Sequence, residues 1–267
     1  MIKLVATDID GTILGDSGEF TPGVRNCIKT MQEKGIKVVI VTGRMFAAAK
    51  QIAQRLNLTT PVVAYQGGMI KKSASSDEVL YDACIPPEGV KNIIEWAREN
   101  LIHLNLYSND VLYVEEDNPT IQQYASRQNL SYKVTSFDNI ELSNVNKLLA
   151  IDYTNADRVT NWINECRKSM PHLYIVKSTP YFCEFSTPEA TKACAINVLK
   201  EYWNLKDDEV LTIGDQDNDI ELLKAGGISV AMGNATDELK KYADYITDTV
   251  DNDGFVKAME KFVLCSK

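Results

Sequence analysis

The chain has 267 residues, 45% of them hydrophobic and 24% charged, with a formal net charge of −9. That length favours two domains over one compact unit. The negative charge speaks against a nucleic-acid or anionic-membrane partner, because phosphate groups would be repelled. Any positive charge needed to hold a small anion must then come from a metal or from a few local residues.

The amino-terminal MIKLVATDIDG has too short an apolar run for a signal peptide, and no stretch approaches the ~18 apolar residues of a membrane span. The cysteines at 27, 84, 166, 183, 194 and 265 are scattered, with no CxxC pair and no matching histidine cluster. A zinc site or disulfide framework is therefore not expected, and reduced thiols in a cytoplasm are. His103 and His172 stand alone and read as structural.

In chain order, residues 2–7 form a nearly continuous apolar run, as in a strand buried on both faces. A helix follows, with Thr21 as N-cap, Pro22 in the first turn, Gly35 past the end, and Val24, Ile28 and Met31 at helical spacing. Next come a strand at 37–41, a helix over 45–56 and a strand at 62–64. Three strands separated by helices predict a parallel sheet. The pattern resumes late, with a helix over 191–203, a strand at 209–213, a helix over 218–225 closed by Gly226-Gly227, and a strand at 228–231.

Between these blocks, residues 86–186 have a different texture. They hold β-rich segments at 104–114, 147–153 and 173–185 and two helical ones at 88–100 and 118–128, bounded by Pro86-Pro87 and Thr187-Pro188. The expected architecture is an α/β protein with a Rossmann-like parallel-sheet core built from residues 1–85 and 187–267, into which an α/β domain of residues 86–186 is inserted.

Four constellations carry chemistry. Asp8-Ile9-Asp10-Gly11-Thr12 stands at the carboxyl end of the first buried strand, where open parallel sheets bind ligands. One carboxylate can serve as nucleophile and metal ligand and the other as general acid and base, although a plain Asp-Gly turn has the same pattern. Thr42-Gly43-Arg44 offers a hydroxyl and a backbone N–H at a helix start, either an anion cradle or an ordinary N-cap. Gly214-Asp215-Gln216-Asp217-Asn218-Asp219 crowds acidic groups at another strand end and calls for a counter-charge. Magnesium suits a site shared by Asp8 and Asp215, and a solvated acidic loop is the alternative. Lys192 opens a helix, where a cation is unfavourable unless an anion lies close by, and an ordinary surface lysine is the alternative.

Together these motifs resemble those of the haloacid dehalogenase-like phosphatase superfamily over the whole chain. Gly227–Ala235 (GISVAMGNA) and Asn252–Phe255 (NDGF) resemble its Cof-type (IIB) subfamily, whose α/β cap is inserted where residues 86–186 lie. The resemblance implies a magnesium-dependent phosphatase acting on small phosphomonoesters such as sugar phosphates through an aspartyl-phosphate. Asp8 would be the nucleophile and Asp10 the general acid and base. Magnesium would be held by the Asp8 side chain, the Asp10 backbone carbonyl and Asp215. Thr42 and Gly43 would bind the transferring phosphoryl group, Lys192 would offset its charge and that of Asp8, and Asn218 would help position it.

Two positions depart from the family pattern. Tyr65-Gln66-Gly67-Gly68 stands where many members have Asn-Gly-Ala, and Ala193 stands where Gly is frequent. A mutase using the same two aspartates and a non-enzymatic phosphosugar sensor are the competing readings, the second opposed by the intact DxDGT.

Overall fold

The computed structural model describes residues 1–264, so Cys265 lies outside the described residues. The chain opens with β1 (Leu4–Thr7), α1 (Pro22–Glu33), β2 (Lys37–Ile40), α2 (Phe46–Arg55), β3 (Val62–Ala64), β4 (Met69–Lys71) and β5 (Val79–Asp82). It continues through α3 (Pro87–Glu99), β6 (Leu104–Ser108), β7 (Val111–Val114), α4 (Pro119–Gln128), β8 (Tyr132–Val134), β9 (Val145–Ile151), α5 (Ala156–Ser169), β10 (Tyr174–Thr179) and β11 (Phe182–Ser186). It ends with α6 (Lys192–Trp203), β12 (Val210–Gly214), α7 (Ile220–Lys224), β13 (Ile228–Ala231), α8 (Asp237–Lys240), β14 (Tyr245–Ile246) and α9 (Gly254–Met259). No described helix is long and apolar enough to cross a membrane.

A five-stranded parallel sheet runs in the order β14-β13-β12-β1-β2. β1 is fully buried, and its register sets Thr7 against Ile40 on one side and Ile213 on the other. The chain therefore emerges at Asp8, Thr42 and Asp215 along one edge. β1 also marks the point where strand order reverses, the usual place for a ligand crevice in open α/β sheets. Helix α1 has the expected punctuation: the Thr21 hydroxyl accepts a hydrogen bond from Val24 N (3.2 Å), and Gly35 takes a left-handed φ of +77° after the last turn.

Four expectations need correction. β1 starts at Leu4, not at residue 2. β3 touches the parallel sheet through a single bridge, Val41 to Val63, while its ladder runs antiparallel with β4, which pairs in turn with β5. The cause is local: Tyr65 and Gln66 take left-handed φ values and fold the chain straight back into β4, leaving no length for a crossover helix. The helix expected over 218–225 begins as a tight turn, Asp217–Asp219, and is α-helical only from Ile220 to Lys224. The Asp219 carboxylate holds that turn by accepting from the N–H groups of Asp215 (3.0 Å) and Gln216 (3.1 Å). Finally, residues 86–186 contain a third helix, α5, whose Val159, Trp162, Ile163 and Cys166 are buried at helical spacing within an otherwise polar run.

The strands from β6 to β11 form a six-stranded sheet, β10-β11-β9-β6-β7-β8, antiparallel except for β7 with β8. One face packs on α3 and α5 through an apolar cluster that includes Ile93, Ile163, Leu148 and Phe185. Residues of the other face, among them Tyr107 and Leu149, join the large cluster that contains Ile9 and Met45. This second face therefore looks onto the edge where β1 and β2 end.

Candidate active site

Asp8 leaves β1 buried. One of its oxygens accepts a 2.6 Å hydrogen bond from Lys192 Nζ, which also donates to Asp219 Oδ1 at 2.5 Å. Lys192 is the first residue of α6, whose turn is capped by the Thr191 hydroxyl accepting from Cys194 N, and it is 1% exposed. A buried lysine at a helix start is tolerable only because two carboxylates face it. Burial alone would lower the Lys192 pKa, and Asp219 and Asp8 more than reverse this.

Asp215 is buried next to this pair, its oxygens accepting from the Thr12 hydroxyl (2.8 Å) and from Gln216 Nε2 (2.9 Å). Gly11, with φ +79°, turns the chain so closely past it that a Cβ there would lie 2.3 Å from Asp215 Oδ2. Asp8, Asp215 and Asp219 each offer an oxygen within 4.8 Å of the others, and among the described residues Lys192 pairs with Asp8 and Asp219 only. Burial, and then the neighbouring carboxylates, push Asp8 well up despite Lys192; burial and Asp219 push Asp215 up to about 7.

Hard oxygen donors, buried and short of positive charge, fit a small divalent cation. Asp219 is the most heavily committed of the three, accepting from Lys192 and from two backbone N–H groups, while Asp215 accepts two hydrogen bonds and Asp8 one.

The raised Asp215 pKa has a consequence for stability. A carboxyl whose folded pKa lies above its unfolded value contributes stability that is complete below about pH 4 and lost as pH rises through about 7. In metal-free buffer at pH 8, Asp215→Asn should melt at least about 3 °C above wild type, with the gap closing near pH 4. Scanning calorimetry across that range checks this, and a wild type that gains stability from pH 4 to pH 8 relative to the variant contradicts it.

Asp10 is gripped by Arg44, whose Nε and Nη2 donate to its two oxygens at 2.8 and 2.5 Å. Thr42 is buried, its hydroxyl accepting from Arg44 N at 3.2 Å. Asn218 Nδ2 donates to Gln66 Oε1 (3.1 Å), while Asn218 Oδ1 is buried without a hydrogen-bond partner. Asp8, Asp10, Thr42, Gly43, Asp215 and Asn218 all line one cavity of about 840 Å³. Lys192 is not on its wall and reaches Asp8 from behind.

The far wall comes from the six-stranded sheet, the turn after β9 and α4, including Tyr124, Lys147, Tyr153, Phe182 and Glu184. Gln128 Oε1 and Tyr153 Oη, like Asn218 Oδ1, are buried and unpartnered, and all three residues border this cavity. Such atoms normally find a partner.

The sequence motifs gave no role to Thr12, Arg44, Gln66, Lys147 or Glu184, and left open whether Asp219 touches the metal directly or through water. Thr12, Arg44 and Asp219 stand inside the motifs. Lys147 and Glu184 carried a readable signal, a lone charge within the apolar strands VNKLLAI and FCEFS. His103 bonds to Asn105 and Asn118 and does not line this cavity.

A parallel α/β sheet with an acidic cluster at the strand ends is the arrangement that the sequence resemblance implies, and the comparisons give the family. Residues 5–259 match the haloacid dehalogenase-like hydrolase family, and the chain belongs to it. It is 30% identical over 263 residues to the 5-amino-6-(5-phospho-D-ribitylamino)uracil phosphatase YcsE of Bacillus subtilis, covering 98% of this chain and 96% of that one. Among solved structures it resembles a haloacid dehalogenase-like hydrolase from Bacteroides thetaiotaomicron, with a TM-score of 0.86, 31% identity, and 98% and 99% of the two chains covered. It also resembles the subclass IIB sugar phosphatase BT4131, with a TM-score of 0.87, 25% identity, and 97% and 98% covered.

Proposed function

We propose that the protein is a magnesium-dependent phosphatase of small phosphomonoesters, sugar phosphates among them, that works through an aspartyl-phosphate on Asp8. The observation that carries this is Asp8 itself: one oxygen is held by Lys192, no hydrogen bond among the described residues takes the other, and the side chain faces the cavity beside Asp215. The ribityl-phosphate substrate named for YcsE and the sugar-phosphatase title of BT4131 support the substrate class. Residues 1–85 with 187–267 would form the catalytic unit, and residues 86–186 a cap supplying contacts to the leaving group.

In the first step the free Asp8 oxygen attacks phosphorus in line as the ester P–O bond breaks, and Asp10 gives its proton to the departing alcohol oxygen. To do so Asp10 must release one oxygen from Arg44, which otherwise fixes its orientation. In the second, Asp10 takes a proton from a water whose oxygen bonds to phosphorus, the bond from Asp8 to phosphorus breaks, and inorganic phosphate leaves.

The Thr42 hydroxyl, the Gly43 N–H and the Asn218 amide would hold the phosphoryl oxygens, and Lys192 offsets charge on Asp8. Magnesium, held by the Asp8 side chain, the Asp10 carbonyl and Asp215, would supply positive charge to the phosphoryl oxygens. Because little covalent work falls to the protein, the remaining residues act through charge and position.

The test is phosphate release from a panel of phosphomonoesters with magnesium, then with a chelator, then with excess magnesium restored. Turnover should fall at least about a hundredfold with the chelator and return with the metal. Calcium, which tolerates more ligands and longer bonds, should bind and support turnover poorly. Full activity in chelator contradicts the metal role, and release that requires a bisphosphate activator points to a mutase instead.

A further inference from the structure

We propose that Gln66 is a positioning residue through which Glu184 of the six-stranded sheet sets the polarity of the Asn218 amide at the phosphoryl site. The inference rests on the phosphatase reading above and deepens it. Docking of that sheet and readiness of the phosphoryl site then become one event.

The backbone of Gln66 is unusual. The residue is 2% exposed with φ 59° and ψ 17°, a left-handed conformation that an ordinary side chain adopts only at a cost. The turn is pinned to the phosphate loop, with Gln66 N donating to Thr42 O (3.0 Å) and Tyr65 N to Arg44 O (2.9 Å). The Gln66 side chain lies directly over Gly43, where a Cβ would come within 2.4 Å of Gln66 Nε2. The Tyr65 hydroxyl meanwhile donates to Asp110 in the turn between β6 and β7, at 2.8 Å. This short turn thus touches the six-stranded sheet on one side and the catalytic edge on the other.

The hydrogen bonds have a forced direction. Glu184, on β11, accepts from Lys147 Nζ at 2.8 Å, from the Ser178 hydroxyl, and from Gln66 Nε2 at 3.0 Å. A carboxylate in an ion pair only accepts, so the amide nitrogen of Gln66 must face it and the amide oxygen must face away. That oxygen meets Asn218, which must present its nitrogen, at 3.1 Å. One Nδ2 hydrogen goes to Gln66 and the second remains for a phosphoryl oxygen. The unpartnered Asn218 Oδ1 is what this imposed orientation leaves behind.

Lys147 adds a parallel tie, donating to Gly43 O at 2.7 Å and so bracing the loop that lines the cavity. Without Glu184 in place, Gln66 and Asn218 could both turn over. An asparagine at position 66 is one methylene too short to span from Asn218 to Glu184.

The experiment measures kcat, KM and melting temperature for wild type, Gln66→Asn, Glu184→Gln and the double variant on one small ester with magnesium. Gln66→Asn should lower kcat about tenfold with KM within about threefold. Its melting temperature should stay within a few degrees of wild type, because the easier left-handed conformation of asparagine offsets part of the lost buried hydrogen bond. The double variant should be no slower than the slower single one, since both break the same chain of bonds. A kcat for Gln66→Asn within about twofold of wild type, or single losses that multiply in the double variant, overturns the coupling alone. A drop in melting temperature with kcat preserved also overturns it, because that is what a purely structural role gives. A wild type that releases no phosphate overturns this inference together with the phosphatase reading.

Discussion

Asp8→Asn should lose at least about a thousandfold in turnover while keeping its fold, because an amide cannot serve as this nucleophile. The substitution is close to isosteric, and an asparagine oxygen can still accept from Lys192 Nζ, 2.6 Å from the present carboxylate. It also removes one of three crowded acids. Burial and the neighbouring carboxylates already push Asp8 well up, so the neutral side chain relieves strain in metal-free buffer. The melting temperature without metal should therefore equal or exceed that of wild type. Activity within about tenfold of wild type, or a melting point several degrees lower, would contradict the role given to Asp8.

Lys192→Met should be costly in both stability and rate. The ammonium is enclosed and meets Asp8 and Asp219 at 2.6 and 2.5 Å, with Asp215 close to both. Removing one partner of a buried ion pair costs about 3–5 kcal/mol, which for a chain of this size lowers the melting temperature by roughly 10 °C. Turnover should fall at least about a hundredfold at a temperature where the variant is folded, since Asp8 and the phosphoryl oxygens lose a fixed charge. Added magnesium should recover part of the lost stability, because a dication also answers the carboxylates. Calorimetry with and without metal checks this, and a loss of under about 2 °C would show that the lysine is not their main counter-charge.

The candidate site was readable because its residues sit in short, local motifs whose positions follow from strand ends. Once residues 2–7, 37–41 and 209–213 read as buried strands, Asp8, Thr42 and Asp215 had to emerge on one side of a sheet. Lys192 carried only a weak signal by itself, since a cation at a helix start is equally an ordinary surface lysine, and the family resemblance gave it its role. What could not be read was set by contacts across long stretches of chain. The return of β3 into an antiparallel hairpin depends on left-handed Tyr65 and Gln66, residue types that seldom announce such a conformation. Helix α5 was overlooked because its apolar stripe is narrow within a polar segment. The pairing of Lys147 with Glu184 joins β9 to β11, and neither partner implies the other. Asp219 looked like one more acid in a loop, yet its two oxygens hold Lys192 and the turn itself.

The most direct test of the account is to trap the intermediate. Wild type mixed with magnesium and a small phosphomonoester is quenched within one turnover, treated with borohydride, digested and read by mass spectrometry. An acyl phosphate is reduced under these conditions, so an aspartate that carried the phosphoryl group becomes homoserine. The account predicts homoserine at position 8, aspartate unchanged at position 10, and neither change in Asp8→Asn. Phosphate release with Asp8 unmodified throughout the first turnover, or modification at any other residue, would contradict it.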